Sequence, residues 1–249
     1  ADDWIEPYTL ELTLSKLLET KTDLCFFDIV KEFKNRQIYC PALPTKQEYY
    51  KNLESLETLN LYMFHTENVN FLFKSSLISK NIRYNERLKI GEDTIFKFKI
   101  YEKLESFSYL QKGMYHYRMN GYSCTSKPNF QLPEIIFYRY TCLCEVIKMG
   151  NYPHNAEVVP NTIEWIRGLP EIVRLAYSNS GFFKCDYEFI EQYINRNEFK
   201  RALLNYNKQT AGRLANLYLI FGHLNKATIT IVYLIYKIYY IIIKKERFL

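Results

Sequence analysis

The sequence has no cysteine pair at metal-ligand spacing, no basic module, no low-complexity linker and no internal repeat. Its six cysteines stand at 25, 40, 124, 142, 144 and 185, and Cys142-Leu143-Cys144 is too tight for the usual zinc knuckle. Cys25 and Cys144 lie in apolar runs, so buried free thiols are expected. With no secretory signal at the N-terminus, the expected compartment is the reduced cytoplasm. Glycine and proline number only eight each, which leaves little material for a flexible tether. Lysines and arginines are dispersed apart from Lys244-Lys245-Glu246-Arg247, and nucleic-acid binding would need a basic face or a recognisable module. A net charge of +6 suits an anionic membrane surface and a diphosphate substrate equally.

What is present is core-forming material. In 249 residues, 48% are apolar and 17% aromatic, enough for one large domain or two small ones. The 23 tyrosines, with abundant Ile, Asn and Lys, look like the codon bias of an AT-rich genome, so their number says nothing of sugar stacking.

Along the chain, Pro7 suits a first helical turn, and Leu10, Leu12, Leu14, Leu17 and Leu18 predict a helix ending near Thr20. Residues 24–30 form an apolar run of strand length. Pro41 and Pro44 mark residues 39–44 as a connection. Helices are expected at about 46–63 and 68–79, and another from Glu92 to about Lys103, whose acidic start complements the helix dipole. Residues 106–110 and 114–118 read as two strands joined by a Lys112-Gly113 turn. Together these predict a mixed sheet with flanking helices over 1–127. After Pro128 helix follows helix, so residues 128–249 are expected to form an all-helical extension.

Three segments carry chemistry: Asp2-Asp3-Trp4-Ile5-Glu6-Pro7, Gly91-Glu92-Asp93-Thr94-Ile95-Phe96 preceded by Ile82-Arg83-Tyr84, and Tyr115-His116-Tyr117-Arg118 followed by Ser123. Each alone has a bland reading. Asp-Asp before Trp serves as a cap and solvated turn, Glu92-Asp93 as dipole complements, and His116 as a satisfied surface histidine. On a strand, His116 and Arg118 share one face and Tyr115 and Tyr117 the other.

In this order the three segments resemble the inverting family 2, A-type glycosyltransferases of bacterial surface-polysaccharide pathways. The resemblance covers Asp2 to Thr125. In that family the first segment follows a nucleotide-binding region, so the chain reads as the C-terminal part of a longer enzyme. The resemblance implies an α/β fold and transfer of a sugar from a nucleotide diphosphate sugar to a glycan or lipid-linked acceptor. It implies a Mg²⁺ or Mn²⁺ ion that neutralises the leaving diphosphate, with Asp2 and His116 as candidate ligands. Asp93 is implied as the base for the acceptor hydroxyl. Asp3, Trp4, Glu92, Arg118 and Ser123 are implied in substrate binding, Arg118 through its planar fork on the diphosphate. One departure stands out: Val69 and Phe71 replace the Trp and Lys of an Ala-Trp-Asn-Lys-Leu-Tyr-like segment, so any contact that the family's Lys makes to acceptor or phosphate would be lacking here.

The tail 227–249 is apolar for seventeen residues apart from Thr228, Thr230, Lys237 and its tyrosines, and ends in basic residues. It is short for a span, and a central lysine is costly there. Ile229, Val232, Ile235, Tyr236 and Tyr239 fit either an interfacial helix at the inner face of the membrane or a helix packed on the extension. Two rival functions stay open: a non-catalytic fragment or binding module, and a divalent-metal hydrolase.

Overall fold

The computed structural model describes residues 3–44, 47–51, 53, 55–65, 69–78, 82–88, 90–119, 129–180, 185–220, 224–235 and 237. The chain divides into two compact units, Ala1–Lys127 with Cys142–Ala156, and Pro128–Thr141 with Glu157–Leu249.

The first unit is built on a mixed sheet. Its strands are β1 (Trp4–Ile5), β2 (Leu24–Phe33), β3 (Arg36–Cys40), β4 (Tyr49–Lys51), β5 (Phe71–Phe73) and β6 (Ser106–Arg118). Long β2 and β6 run parallel at its centre, and the path across it is β1-β6-β2-β3, with β4 also on β6 and β5 on β2. Residues 24–30 of β2 are all buried, as a run covered on both faces requires. Phe26 meets Tyr62, Phe71 and Phe107 edge-on at ring separations of 5.5–5.6 Å, an arrangement that adds to simple burial.

Helices α1 (Thr9–Thr20), α2 (Leu56–His65) and α3 (Glu92–Tyr101) complete this unit. Pro7, lacking an N–H, ends β1 and leads into α1. The inward face of α1 is Thr9, Thr13 and Leu17, while Leu10, Leu14 and Leu18 point outward. The small threonines allow close approach to the sheet, and the Thr13 hydroxyl donates to the Thr9 carbonyl at 2.7 Å. Gly91 caps α3 at φ 79°, a left-handed conformation that glycine adopts without strain.

The second unit is all-helical among the described residues. It holds the first part of α4 (Leu132–Met149), α5 (an α-turn, Val158–Pro160, continued by a π-helical segment, Asn161–Ile166), α6 (Leu169–Ser180), α7 (Tyr187–Ile194), α8 (Asn197–Leu204) and α9 (Arg213–Ile220), then a helix over 226–235. Trp165, Ile172, Tyr193 and Phe199 are fully buried at its centre. The Arg139 guanidinium reaches the fully buried Glu164 carboxylate at 2.5 Å. Ile229, Val232 and Tyr233 belong to this core, and Tyr233 stacks on Tyr177 at 3.7 Å. The described part of the tail thus packs on its own unit, leaving Ile235 half exposed.

Several local expectations need correction. Residues 106–118 form one strand, without a hairpin at Lys112-Gly113, because both edges of this segment are taken by other strands: β2 on one side, β4 and β1 on the other. Where a helix is expected over 68–79, the described residues 69–78 hold β5 and a 3₁₀ turn, Ser75–Leu77, since Phe71–Phe73 pair with Leu24–Phe26 of β2. The helix expected over 46–63 begins only at Leu56, because Tyr49–Lys51 extends the sheet beside β6. Tyr39 and Cys40 belong to β3, which hairpins onto β2; the prolines cut in only afterwards. The expected α1, β2 and α3 are present.

Candidate functional site

The first and third motifs meet. Trp4 pairs with His116 and Ile5 with Tyr115 across an antiparallel ladder, and the Glu6 N–H extends it by donating to the Met114 carbonyl at 2.9 Å. Asp3 is gripped from β6 at both oxygens: the Arg118 N–H donates to Oδ1 at 2.9 Å and the Tyr115 hydroxyl to Oδ2 at 2.8 Å. The Trp4 ring stacks on the His116 imidazole, centroids 4.8 Å apart and planes 6° apart. The Arg118 guanidinium lies 5.2 Å from the same Trp4 ring, a cation–π arrangement. His116 and Arg118 both reach Trp4, as a shared strand face requires.

His116 is nearly buried, with a carboxylate at each ring nitrogen: Glu32 Oε1 2.7 Å from Nδ1 and Glu6 Oε1 3.0 Å from Nε2. The two carboxylates flank opposite ends of the imidazole and do not converge on one point. Among the described residues no group of three or more His, Cys, Asp or Glu could hold a metal ion. His116 as placed has a carboxylate at each ring nitrogen, and its ring ties β1 to the sheet. Asp2 and Ser123 lie outside the described residues.

This cluster sits at the C-terminal ends of parallel β2 and β6, where Glu32 stands opposite Arg118. Ligands in open α/β sheets bind at such strand ends. Glu6 and Glu32 were not singled out from sequence. Glu6 occupies the variable position of the first motif, and Glu32 becomes visible only once β2 and β6 are paired.

The second motif forms the start of α3. Glu92 and Asp93 occupy its first turn, where the helix dipole favours negative charge, and the Thr94 N–H donates to Asp93 Oδ1 at 2.7 Å. Tyr84 stacks on Phe96 at 4.2 Å with planes 9° apart. Its phenol is pushed above the usual range by burial, then by the negative charges of Asp93 and Glu92. Among the described residues no hydrogen bond or ion pair joins Asp93 to the Asp3–Arg118 cluster. A separate cleft of about 850 Å³, lined by Lys21, Lys51, Glu102, Glu105, Tyr152 and His154 among others, lies by Ser106 at the opposite end of β6. None of the motif residues lines it.

No protein-family model matches the sequence, and no curated protein sequence does. Solved structures do match in fold. Staphylococcus aureus TarS residues 1–349 in complex with UDP-GlcNAc superposes with a TM-score of 0.54 at 17% identity, covering 93% of this chain and 63% of that one. The same TarS segment alone gives 0.52 at 16% identity, and with UDP 0.51 at 16%. The chain thus spans less than two thirds of the TarS segment it matches. At this identity the likeness establishes architecture alone: the chain shares the mixed α/β fold of the TarS segment.

Proposed function

We propose that the chain carries the acceptor-side part of an inverting family 2 glycosyltransferase, which moves a sugar from a nucleotide diphosphate donor to a glycan or lipid-linked acceptor in surface-polysaccharide synthesis. The observation that carries this reading is the docking of Asp3, Trp4 and Glu6 onto Tyr115, His116 and Arg118 at the C-terminal ends of parallel strands. Segments 112 and 115 residues apart in sequence meet in the order in which the family's motifs occur. The fold shared with TarS, a protein crystallised with UDP-GlcNAc and with UDP, supports a nucleotide-sugar donor.

In this reading the Asp93 carboxylate takes the proton of the acceptor hydroxyl. The freed oxygen attacks the anomeric carbon from the face opposite the diphosphate, the bond from that carbon to the diphosphate breaks, and the nucleotide diphosphate leaves. Arg118 faces the leaving charge, and Trp4, Asp3, Glu92 and Ser123 bind substrate. A Mg²⁺ or Mn²⁺ ion would neutralise the diphosphate when bound. Its proposed ligand is Asp2, since the carboxylates around His116 occupy both ring nitrogens. The base and ribose of the donor would be held by residues N-terminal to the first motif in a longer polypeptide, acting at the cytoplasmic face of the membrane.

The test is product analysis on that longer polypeptide with a panel of nucleotide sugars, beginning with UDP-GlcNAc. Acceptor-dependent release of nucleotide diphosphate with an inverted anomeric linkage supports the reading. Release of inorganic phosphate or free sugar without transfer would identify a hydrolase instead.

A further inference from the structure

We propose that Asp28 is a positioning residue: buried in the middle of β2, its carboxylate locks an irregularity in β6 that brings Tyr115, His116 and Arg118 into register with Asp3, Trp4 and Glu32. The inference rests on the reading of that cluster as the substrate site, but its structural content is tested without activity.

From Leu24↔Phe107 to Phe27↔Leu110 the two parallel strands run in simple register. Between Phe27 and Asp28, β6 then advances from Leu110 to Gly113, and between Asp28 and Ile29 from Gly113 to Tyr115. β6 thus inserts three residues that β2 does not match. Continued in simple register, Gly113 would stand beside Val30 and Tyr115 beside Glu32. The insertion instead sets His116 beside Val30 and Arg118 beside Glu32, a shift of about 10 Å along the strand. It is this shift that puts His116 Nδ1 2.7 Å from Glu32 and His116 opposite Trp4 on the other edge. Bulges commonly re-aim side chains next to functional sites.

Asp28 stands at this irregularity with no exposed surface. A buried carboxylate is costly unless fully hydrogen-bonded, and here donors arrive from three elements. The Tyr109 hydroxyl on β6, just before the insertion, donates to Oδ1 at 2.5 Å, and the Ala42 N–H, in the segment after β3, to the same oxygen at 2.6 Å. The Tyr39 hydroxyl on β3 donates to Oδ2. The Tyr39 ring also closes over Gly113, where an added Cβ would come within 2.7 Å of Val30 and 3.1 Å of Tyr39. On the far side, the Met114 carbonyl inside the insertion accepts the Glu6 N–H at 2.9 Å and the Thr9 hydroxyl at 3.4 Å. Burial, then the Asp28 carboxylate, pushes both phenols above the usual range, so they remain donors. Simple packing would be met by any apolar residue here; a carboxylate that gathers two tyrosines and a backbone N–H around the irregularity fixes a register.

Trp4 provides the readout. The sequence has two tryptophans; Trp4 is 41% exposed and Trp165 fully buried, so acrylamide quenching reports on Trp4. Asp28→Asn, Tyr109→Phe and Tyr39→Phe are compared with Val173→Ala, a core variant of the helical unit that lowers stability without touching the sheet. If Asp28 sets the register, the Asp28 and Tyr109 variants release Trp4 from His116 and raise its quenching constant roughly twofold well below the unfolding transition, whereas Val173→Ala leaves it unchanged. Folded Asp28 and Tyr109 variants with wild-type quenching would overturn the proposal and leave Asp28 a stabilising residue only. If Asp28→Asn does not fold, the two tyrosine variants decide by the same criterion. A changed Trp4 signal in these variants, together with no sugar transfer by the longer polypeptide, would sink the proposed function and leave this inference standing.

Discussion

The Asp3 carboxylate accepts the backbone N–H of Arg118 at 2.9 Å, across 115 residues of sequence. The bond fixes the start of the first motif to the end of β6 without using the Arg118 guanidinium, which lies against Trp4. One residue of the third motif thereby supplies two separate holds on the first.

Tyr115→Phe removes the second donor to Asp3. The loss of one hydrogen bond should lower stability by about 1 kcal/mol in urea unfolding. Asp3→Ala, which also orphans the Arg118 N–H, should cost more. Equal, negligible effects of both would mean that the Asp3 grip is not maintained in solution.

The Arg139–Glu164 pair in the helical unit gives a sharper stability test. Arg139→Met leaves the fully buried Glu164 carboxylate without its guanidinium and should cost about 3–5 kcal/mol. Urea unfolding followed by the fluorescence of Trp165, next in sequence to Glu164, measures this. Ile229→Ala in the same core should cost about 2–5 kcal/mol; a cost near zero would free the 226–235 helix for the membrane contact considered from sequence.

Alkaline pH should unfold the protein through its buried tyrosines. Burial holds the Tyr62 and Tyr193 phenols well above the ordinary tyrosine range. A raised folded-state pKa contributes stability that is complete below the unfolded-state value and is lost as pH rises above it. Stability should therefore begin to fall near pH 10, with a cooperative rise in tyrosinate absorbance at the unfolding step. A gradual titration of all tyrosines in a folded protein would contradict the burial of these two.

The 249-residue chain alone should bind UDP-GlcNAc weakly or not at all, because the proposal assigns the base and ribose to residues before the first motif. Calorimetry giving tight, metal-dependent binding would place the nucleotide site within this chain.

The helix and strand periodicities that carry α1, β2 and α3 were legible because each is local. β5 and β6 were not, since their conformation is set by partners far along the chain: Phe71–Phe73 looks helical until β2 is beside it, and Lys112-Gly113 looks like a turn until β2 and β1 claim both sides. The same holds at the site. Asp3, Trp4 and Arg118 were readable as motif residues, but Glu6, Glu32 and Asp28 acquire their roles only from a strand register with three inserted residues. His116 shows the limit most clearly: nothing in its motif indicated the two carboxylate neighbours that flank its ring.

The account rests on Asp93 acting as a base, and the most direct test compares wild-type and Asp93→Asn forms of the longer polypeptide for acceptor-dependent nucleotide release and for donor binding. The account predicts a rate lowered about 10²–10⁴-fold with donor affinity nearly unchanged, since a base acts on the reaction and not on the ground state. An Asp93→Asn protein that transfers sugar at the wild-type rate would contradict it.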